Sequence, residues 1–274
     1  MSTRDEFYVP ESWTNRPVRI ALIGAGGTGS EVLDGLARLH GALLGLGHPG
    51  GFDLTVFDPD AVSQTNVLRQ RFWSQDIGQN KAVIQVHRLN MMLGTAWAGV
   101  PTAAPLGELG QFDLLITCVD KASVRSAIHR ALAAENRPLY SKGPGALWLD
   151  TGNAASNGQI VLGDLSSSDA RSHETAGGHR LPNVMDLYPE IAQMNDDDAP
   201  SCSAHEALTS QEFGVNRLVA DVATNLLWQL LRHGRIDHHG AYVRLNPMTV
   251  SPLPIDPVGW AGLGYESKKR RSAA

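Results

Sequence analysis

The 274-residue sequence predicts an α/β fold around a mixed β-sheet, parallel in its N-terminal half and antiparallel in its C-terminal strands, with helices on both faces. Three observations predict it. Near-continuous apolar runs at 18–24 (VRIALIG) and 113–120 (DLLITCVD) are what parallel strands covered on both faces require. Apolar residues at helical spacing follow each run, and such alternation implies a parallel sheet. Beyond Gly143, LWLDTG and GQIVLG are strand-like and flank a turn placed at Asn157-Gly158, which implies antiparallel pairing.

After the first strand, Val32, Leu33, Leu36, Leu39 and Leu43 set a helix over 30–44, ended by the glycine-rich stretch 45–51. FDLTVFD (52–58) is the second strand, and Val83, Val86, Leu89 and Leu93 set a helix over 81–93. The strand at 113–120 is followed by a helix over 123–134 and a short strand at 139–141. Residues 164–205 are rich in Ser, Gly, His and Asp with little periodicity, and are expected to form a mobile loop. Val215, Leu218, Val219, Val222, Leu226 and Leu230 share one face of a last helix over 213–233, and AYVRL (241–245) offers a last strand. The charged end from 266 is expected to be a disordered, solvated tail. Residues 1–274 are expected to form a single domain.

Composition narrows the function. A net charge of −5 and a pI near 6.0 leave no global field for nucleic acid or an anionic membrane, so neither is expected as a partner. No run approaches the roughly 20 apolar residues of a bilayer span. The start MSTRDEF lacks the apolar segment of a secretory signal, so a cytoplasmic location is expected. Two cysteines, Cys118 and Cys202, cannot form a disulfide framework or a four-thiolate zinc site.

The turn after the first strand is GAGGTG, with Gly24, Gly26 and Gly29 in GxGxxG spacing and Gly27 between them. In such a turn the first glycine permits the bend, the second lets backbone approach phosphate, and the third lets helix and strand pack closely. Helix-start amides then attract the phosphate charge. Asp58 ends the next strand, with Asp60 just beyond, where a carboxylate accepts hydrogen bonds from ribose hydroxyls. A Rossmann-like nucleotide site follows, but three classes share it: an NAD(P)-dependent oxidoreductase, an ATP-using enzyme and a non-catalytic nucleotide-binding scaffold. Asn66, Arg69, Gln70 and Lys81 favour ATP, because hydride transfer has no need of so many phosphate partners.

These residues carry a resemblance. Gly24 to Gly29, Asp58-Pro59-Asp60-Ala61-Val62, Thr65-Asn66-Val67-Leu68-Arg69-Gln70, Asp76-Ile77-Gly78-Gln79-Asn80-Lys81, and Asp120 followed by Arg125 appear in the order seen in the ThiF, MoeB and HesA family, bacterial relatives of ubiquitin-activating enzymes. PSCSAHEA, around Cys202, resembles that family's cysteine segment, and the chain resembles most its branch from PRTRC gene clusters. The resemblance implies ATP-dependent adenylation of the C-terminal glycine of a small ubiquitin-like or sulfur-carrier protein by a homodimer, with Mg2+. It implies that Asp58 holds ribose, that Asn66, Arg69, Gln70 and Lys81 hold phosphates, and that Asp120 organises the metal. Asp120 would also suit a cap for the helix that follows. Cys202 is the candidate for a thioester carrier.

The pattern departs from that family in three places. It lacks the two CxxC pairs of a structural zinc, for which His173, His179, His205, His238 and His239 are scattered substitutes. The arginine that family members donate across the dimer has no matching context, although Arg4, Arg16 and Arg19 lie nearby. The stretch GALLGLGHPGG (41–51) is longer than usual and offers a contact surface. Cys118 reads as inert core, and Asp196-Asp197-Asp198 as a solvated part of the loop.

Overall fold

The computed structural model describes residues 5–67, 70–133, 146–166, 173–194, 196 and 211–267. A short strand, β1 (Phe7–Tyr8), pairs with β8 (Arg235–Ile236), tying the start of the chain to its C-terminal third. At the centre of the five parallel strands of the main sheet is β2 (Val18–Ile23), in which Ile20, Ala21 and Leu22 are fully buried, as its near-continuous apolar run demands. It is flanked in parallel by β3 (Phe52–Phe57) and β5 (Leu114–Thr117). Further out, β4 (Ala98–Val100) is parallel to β3, and β6 (Leu147–Asn153) is parallel to β5. Beyond β6 the pairing turns antiparallel through β7 (Asn157–Asp164), β9 (His238–Leu245) and β10 (Met248–Pro254). The eight-stranded order is β10-β9-β7-β6-β5-β2-β3-β4.

Helices cover both faces. α1 (Gly27–Gly45) and α6 (Val215–His233) touch so closely that a Cβ at Gly35 would stand 2.5 Å from Thr224 Cγ2. α6 lies over Gly158, whose added Cβ would meet Val219 at 2.5 Å. α4 (Ala122–Ala133) lies over the other face, where its Arg125 reaches Asp150, a residue in register with Val161 and therefore opposite in facing to Gly158. α3 (Lys81–Leu93) follows the short α2 (Gln64–Val67) and begins at an Asn80 cap whose side chain accepts from the Val83 N–H. α5 (Val184–Leu187) and α7 (Pro257–Gly262) are short, and Trp260 of α7 is fully buried. Among the described residues no helix is long and apolar enough to cross a membrane.

The structure bears out the mixed sheet and corrects several elements. The turn between β6 and β7 lies at 154–156, two to three residues earlier than expected, with Asn157 and Gly158 already in β7 and the Ala154 N–H donating to the Asn157 carbonyl at 2.8 Å. β5 stops at Thr117, so Cys118, Val119 and Asp120 form a turn and not strand. β4 and β10 carry no strand-like run in sequence: both are edge strands, and β10 has two prolines, which edges tolerate. Residues 164–205 are not structureless throughout, because Leu181, Val184 and Leu187 are buried and α5 is capped by Asn183. Tail residue Ser267 meets His179 Nδ1 at 2.8 Å. The expected strand at 139–141 lies outside the described residues.

Candidate functional site

Because β2, β3 and β5 are parallel, their C-terminal ends share one edge of the sheet. β2 sits where the strand order reverses, with β3 on one side and β5 on the other, and ligands of open α/β sheets enter the crevice at such a switch point. Three turns meet there: 24–27 after β2, 58–62 after β3 and 118–121 after β5.

The glycines of the first turn serve different ends. Gly24 has φ +91°, and its Cβ would stand 2.7 Å from the Cys118 carbonyl oxygen; a Cβ at Gly29 would stand 1.9 Å from the Gly24 oxygen. Those two are fixed by the protein's own backbone. Gly26 is not. Its φ is −80°, and the nearest atoms to an added Cβ are Gln70 Nε2 and Oε1, both at 3.9 Å. Gly27 stands under Asn216 of α6, whose Oδ1 also accepts from Thr28 Oγ1 at 3.0 Å and from Asn153 Nδ2 at 3.0 Å.

Asp58 is 5% exposed and its carboxylate braces the turn: the Ala25 N–H donates to Oδ2 at 2.6 Å and the Asp60 N–H to Oδ1 at 2.9 Å. Burial pushes the Asp58 pKa up, against the pull of those two N–H groups. The Ala25 carbonyl is held too, by Gln85 Nε2 of α3 at 3.0 Å. Lys81, at the start of α3, is buried along its stem and places Nζ 2.9 Å from Oδ2 of the exposed Asp60. Asn66 turns its Oδ1 to the Ser63 N–H at 2.8 Å and the Ser63 hydroxyl at 3.0 Å. Gln70 lies over Gly26 with its Oε1 buried and, among the described residues, without a partner.

Asp120 stands exposed just past β5, and among the described residues nothing bonds to its carboxylate. The cap of α4 falls instead to Asp196, which accepts from the Ser123 N–H at 3.1 Å and from the Ser123 hydroxyl. Asp196 is therefore engaged with the protein, while Asp197 and Asp198 lie outside the described residues. Beneath this turn, Asp150 Oδ1 accepts from Thr117 Oγ1 at 2.5 Å and from Arg125 Nε at 2.8 Å. One buried oxygen thus closes the 117–125 segment that carries Asp120.

Arg69 and Cys202 lie outside the described residues. Cys118 is a free thiol that accepts from Thr151 Oγ1 at 3.2 Å, and burial pushes its pKa up to about 12, so thiolate chemistry is closed to it. Arg16 and Arg19 both grip Asp113, at 2.7 and 3.0 Å, and Arg4 lies outside the described residues. Among the described residues no cluster of His, Cys, Asp and Glu could hold a metal ion by itself. His239 is a core histidine: Trp260 Nε1 donates to its Nε2 at 2.9 Å, Nδ1 meets the Leu162 carbonyl at 2.8 Å, and burial lowers its pKa to about 4. His238 pairs with Asp237, and His205 lies outside the described residues. Gln85, Asp150 and Asp196 were not legible as site-shaping residues in sequence. The one trace was a polar Gln85 on the buried face of an amphipathic helix.

No curated protein matches the chain by sequence. Solved structures share its fold. PaaA superposes with a TM-score of 0.56 at 15% identity, over 87% of this chain and 64% of that one. Escherichia coli MccB, in a structure with ATP, superposes with a TM-score of 0.54 at 13% identity, over 89% of this chain and 65% of that one. A structure of MccB with AMPCPP and MccA gives 0.56 at 14% identity, over 88% and 65%. The chain therefore spans just under two thirds of the length of these proteins. The model of the ThiF family matches residues 14–251, and with that match over most of its length the chain belongs to the ThiF family.

Proposed function

We propose that the chain binds ATP at this crevice and adenylates the C-terminal glycine of a small ubiquitin-like or sulfur-carrier protein. The observation that carries the reading is Gly26. Its neighbours are glycines because protein atoms crowd them, whereas among the described residues a Cβ at Gly26 would meet only the Gln70 amide, in ordinary contact at 3.9 Å, and a bare backbone at this step of the turn is what close approach of a phosphate requires. Lys81 and Gln70 stand at the same crevice, and a lysine there serves charge building on phosphate better than it serves hydride transfer. Membership of the ThiF family supports the reading, as does the recurrence of this fold in MccB with ATP and with MccA.

In the proposed reaction the partner's terminal carboxylate oxygen attacks the α-phosphorus of ATP. A new C(O)O–P bond forms as the bond to the bridging oxygen breaks, and pyrophosphate leaves with that electron pair. Lys81 would exchange its Asp60 partner for phosphate oxygens, Asp58 would offer its remaining lone pairs to ribose hydroxyls, and Asn66, Gln70 and Arg69 would hold phosphates. Asp120, a hard oxygen donor past the end of β5 to which nothing among the described residues is bonded, fits a magnesium ion shared with the triphosphate. When bound, the metal supplies charge neutralisation between the two anions that must meet. The Cys202 thiol would then lose its proton to water and attack the acyl carbon, forming a thioester as the C–O bond breaks and AMP leaves with that electron pair, and a homodimer acting in the cytoplasm completes the reading.

Pyrophosphate exchange into ATP tests it. Exchange should require a small partner ending in Gly-Gly, and Asp120→Ala and Arg69→Ala should each lower it about a hundredfold or more. Exchange that survives both substitutions, or bleaching of a nicotinamide in its place, would remove the assignment. A thiol-sensitive adduct with the partner should vanish in Cys202→Ser.

A further inference from the structure

Gln85 belongs to no phosphate-binding motif, yet it is 6% exposed and its amide is directed at the nucleotide turn. It lies four residues after Lys81 on α3, so both share one face of that helix. Its Nε2 donates to the Ala25 carbonyl at 3.0 Å, while Asp58 takes the N–H of the same residue at 2.6 Å. Ala25 is thus clamped from both ends by side chains brought from two other elements.

The clamp fixes a direction. In a trans peptide the carbonyl and the following N–H point opposite ways. Drawing the Ala25 carbonyl inward onto Gln85 turns the Gly26 N–H outward, and among the described residues nothing accepts from that N–H. Above it lies the Gln70 amide, with Nε2 and Oε1 both 3.9 Å from where a Cβ at Gly26 would be. The outward Gly26 N–H and the Gln70 amide, whose Nε2 is also a donor, thus lie together on the side from which an anion would approach. Released from Gln85, the Ala25 carbonyl could swing toward the same space, where its oxygen would repel phosphate.

We infer that Gln85 is a positioning residue for nucleotide binding: by holding the Ala25 carbonyl inward it aims the Gly26 N–H at a phosphate oxygen. The inference rests on the ATP reading and deepens it, adding an element of specificity for the phosphate chain over the nucleoside.

Calorimetry with a non-hydrolysable ATP analogue and with adenosine tests it on the full chain. Gln85→Met and Gln85→Leu keep most of the side-chain volume and lose the donor. Both should weaken the analogue about tenfold and shift adenosine affinity by less than about twofold. Unchanged analogue affinity would overturn the inference, as would an equal loss for both ligands, which is what a merely structural role produces. Should both variants fail to fold, the wild-type chain still decides: the Gly26 amide resonance should move on adding the analogue, and a Gly26 resonance that stays in place overturns it. A wild-type chain that binds neither ligand would instead overturn the ATP reading and take this inference with it.

Discussion

Among the described residues beyond its chain neighbours, a methyl group at Gly26 would meet nothing closer than the Gln70 amide at 3.9 Å, whereas one at Gly29 would meet the Gly24 oxygen at 1.9 Å. The two positions separate what the protein needs from what a ligand needs. Gly29→Ala should destabilise the chain by about 3 kcal/mol, since backbone cannot move aside cheaply, and urea unfolding measures it. Gly26→Ala should leave unfolding within about 0.5 kcal/mol of wild type and weaken ATP about tenfold or more, because its methyl group fills the space the phosphate would take. A Gly26→Ala chain with full ATP affinity would show that the turn binds no phosphate.

At the scale of elements, the start of β5 is fastened to the N-terminal segment through Asp113. Burial alone would raise this carboxyl, but Arg16 donates to both oxygens at 2.7 and 2.8 Å and Arg19 adds side-chain and backbone donors, holding the pKa at about 2. The folded value lies below the ordinary 3.8, so the unfolded chain binds the proton more readily. The resulting stability is fully present above about pH 4 and is lost as pH falls through 2. Both arginines are more than a third exposed, which trims the effect to about 1–2 kcal/mol. Urea titrations at pH 5 and pH 2 should therefore show wild type losing that much more stability than Asp113→Asn; parallel losses would refute it. Elements of this kind were legible in proportion to their burial. β2, β3 and β5 stand out because both their faces are covered, whereas β4 and β10 lie at sheet edges with exposed residues and weak patterns. In the site, the glycine spacing, Asp58 and Lys81 were readable because local turn chemistry demands them. Gln85 and Asp150 were not, since their partners lie 60 and 25 residues away and only the folded sheet brings them together.

Across the whole molecule the two ends of the sheet differ. Among the described residues, the end carrying 24–27, 58–62 and 118–121 presents a Gly26 N–H, a buried Gln70 Oε1 and an Asp120 carboxylate to which nothing is bonded. Among the described residues the other end is largely filled. There Asp164, at the close of β7, accepts from the Ser166 N–H at 2.6 Å, and its carbonyl accepts from Arg180 Nη1 and Asn183 Nδ2, both at 2.9 Å. Arg180 in turn pairs with Asp186 at 2.7 Å, so the polar groups of this end are largely spoken for by one another. Ligand binding should therefore be felt at one end only. Hydrogen exchange followed by mass spectrometry with saturating ATP and magnesium should slow in peptides covering 24–30, 58–66 and 117–123, whose amides border the crevice. Peptides covering 160–166 and 180–187 should exchange as in the free chain, since most polar groups described there are already bonded to one another. Equal protection at both ends would mean that ATP tightens the whole sheet without choosing the crevice, and the switch point between β3 and β5 would lose its claim to be the site.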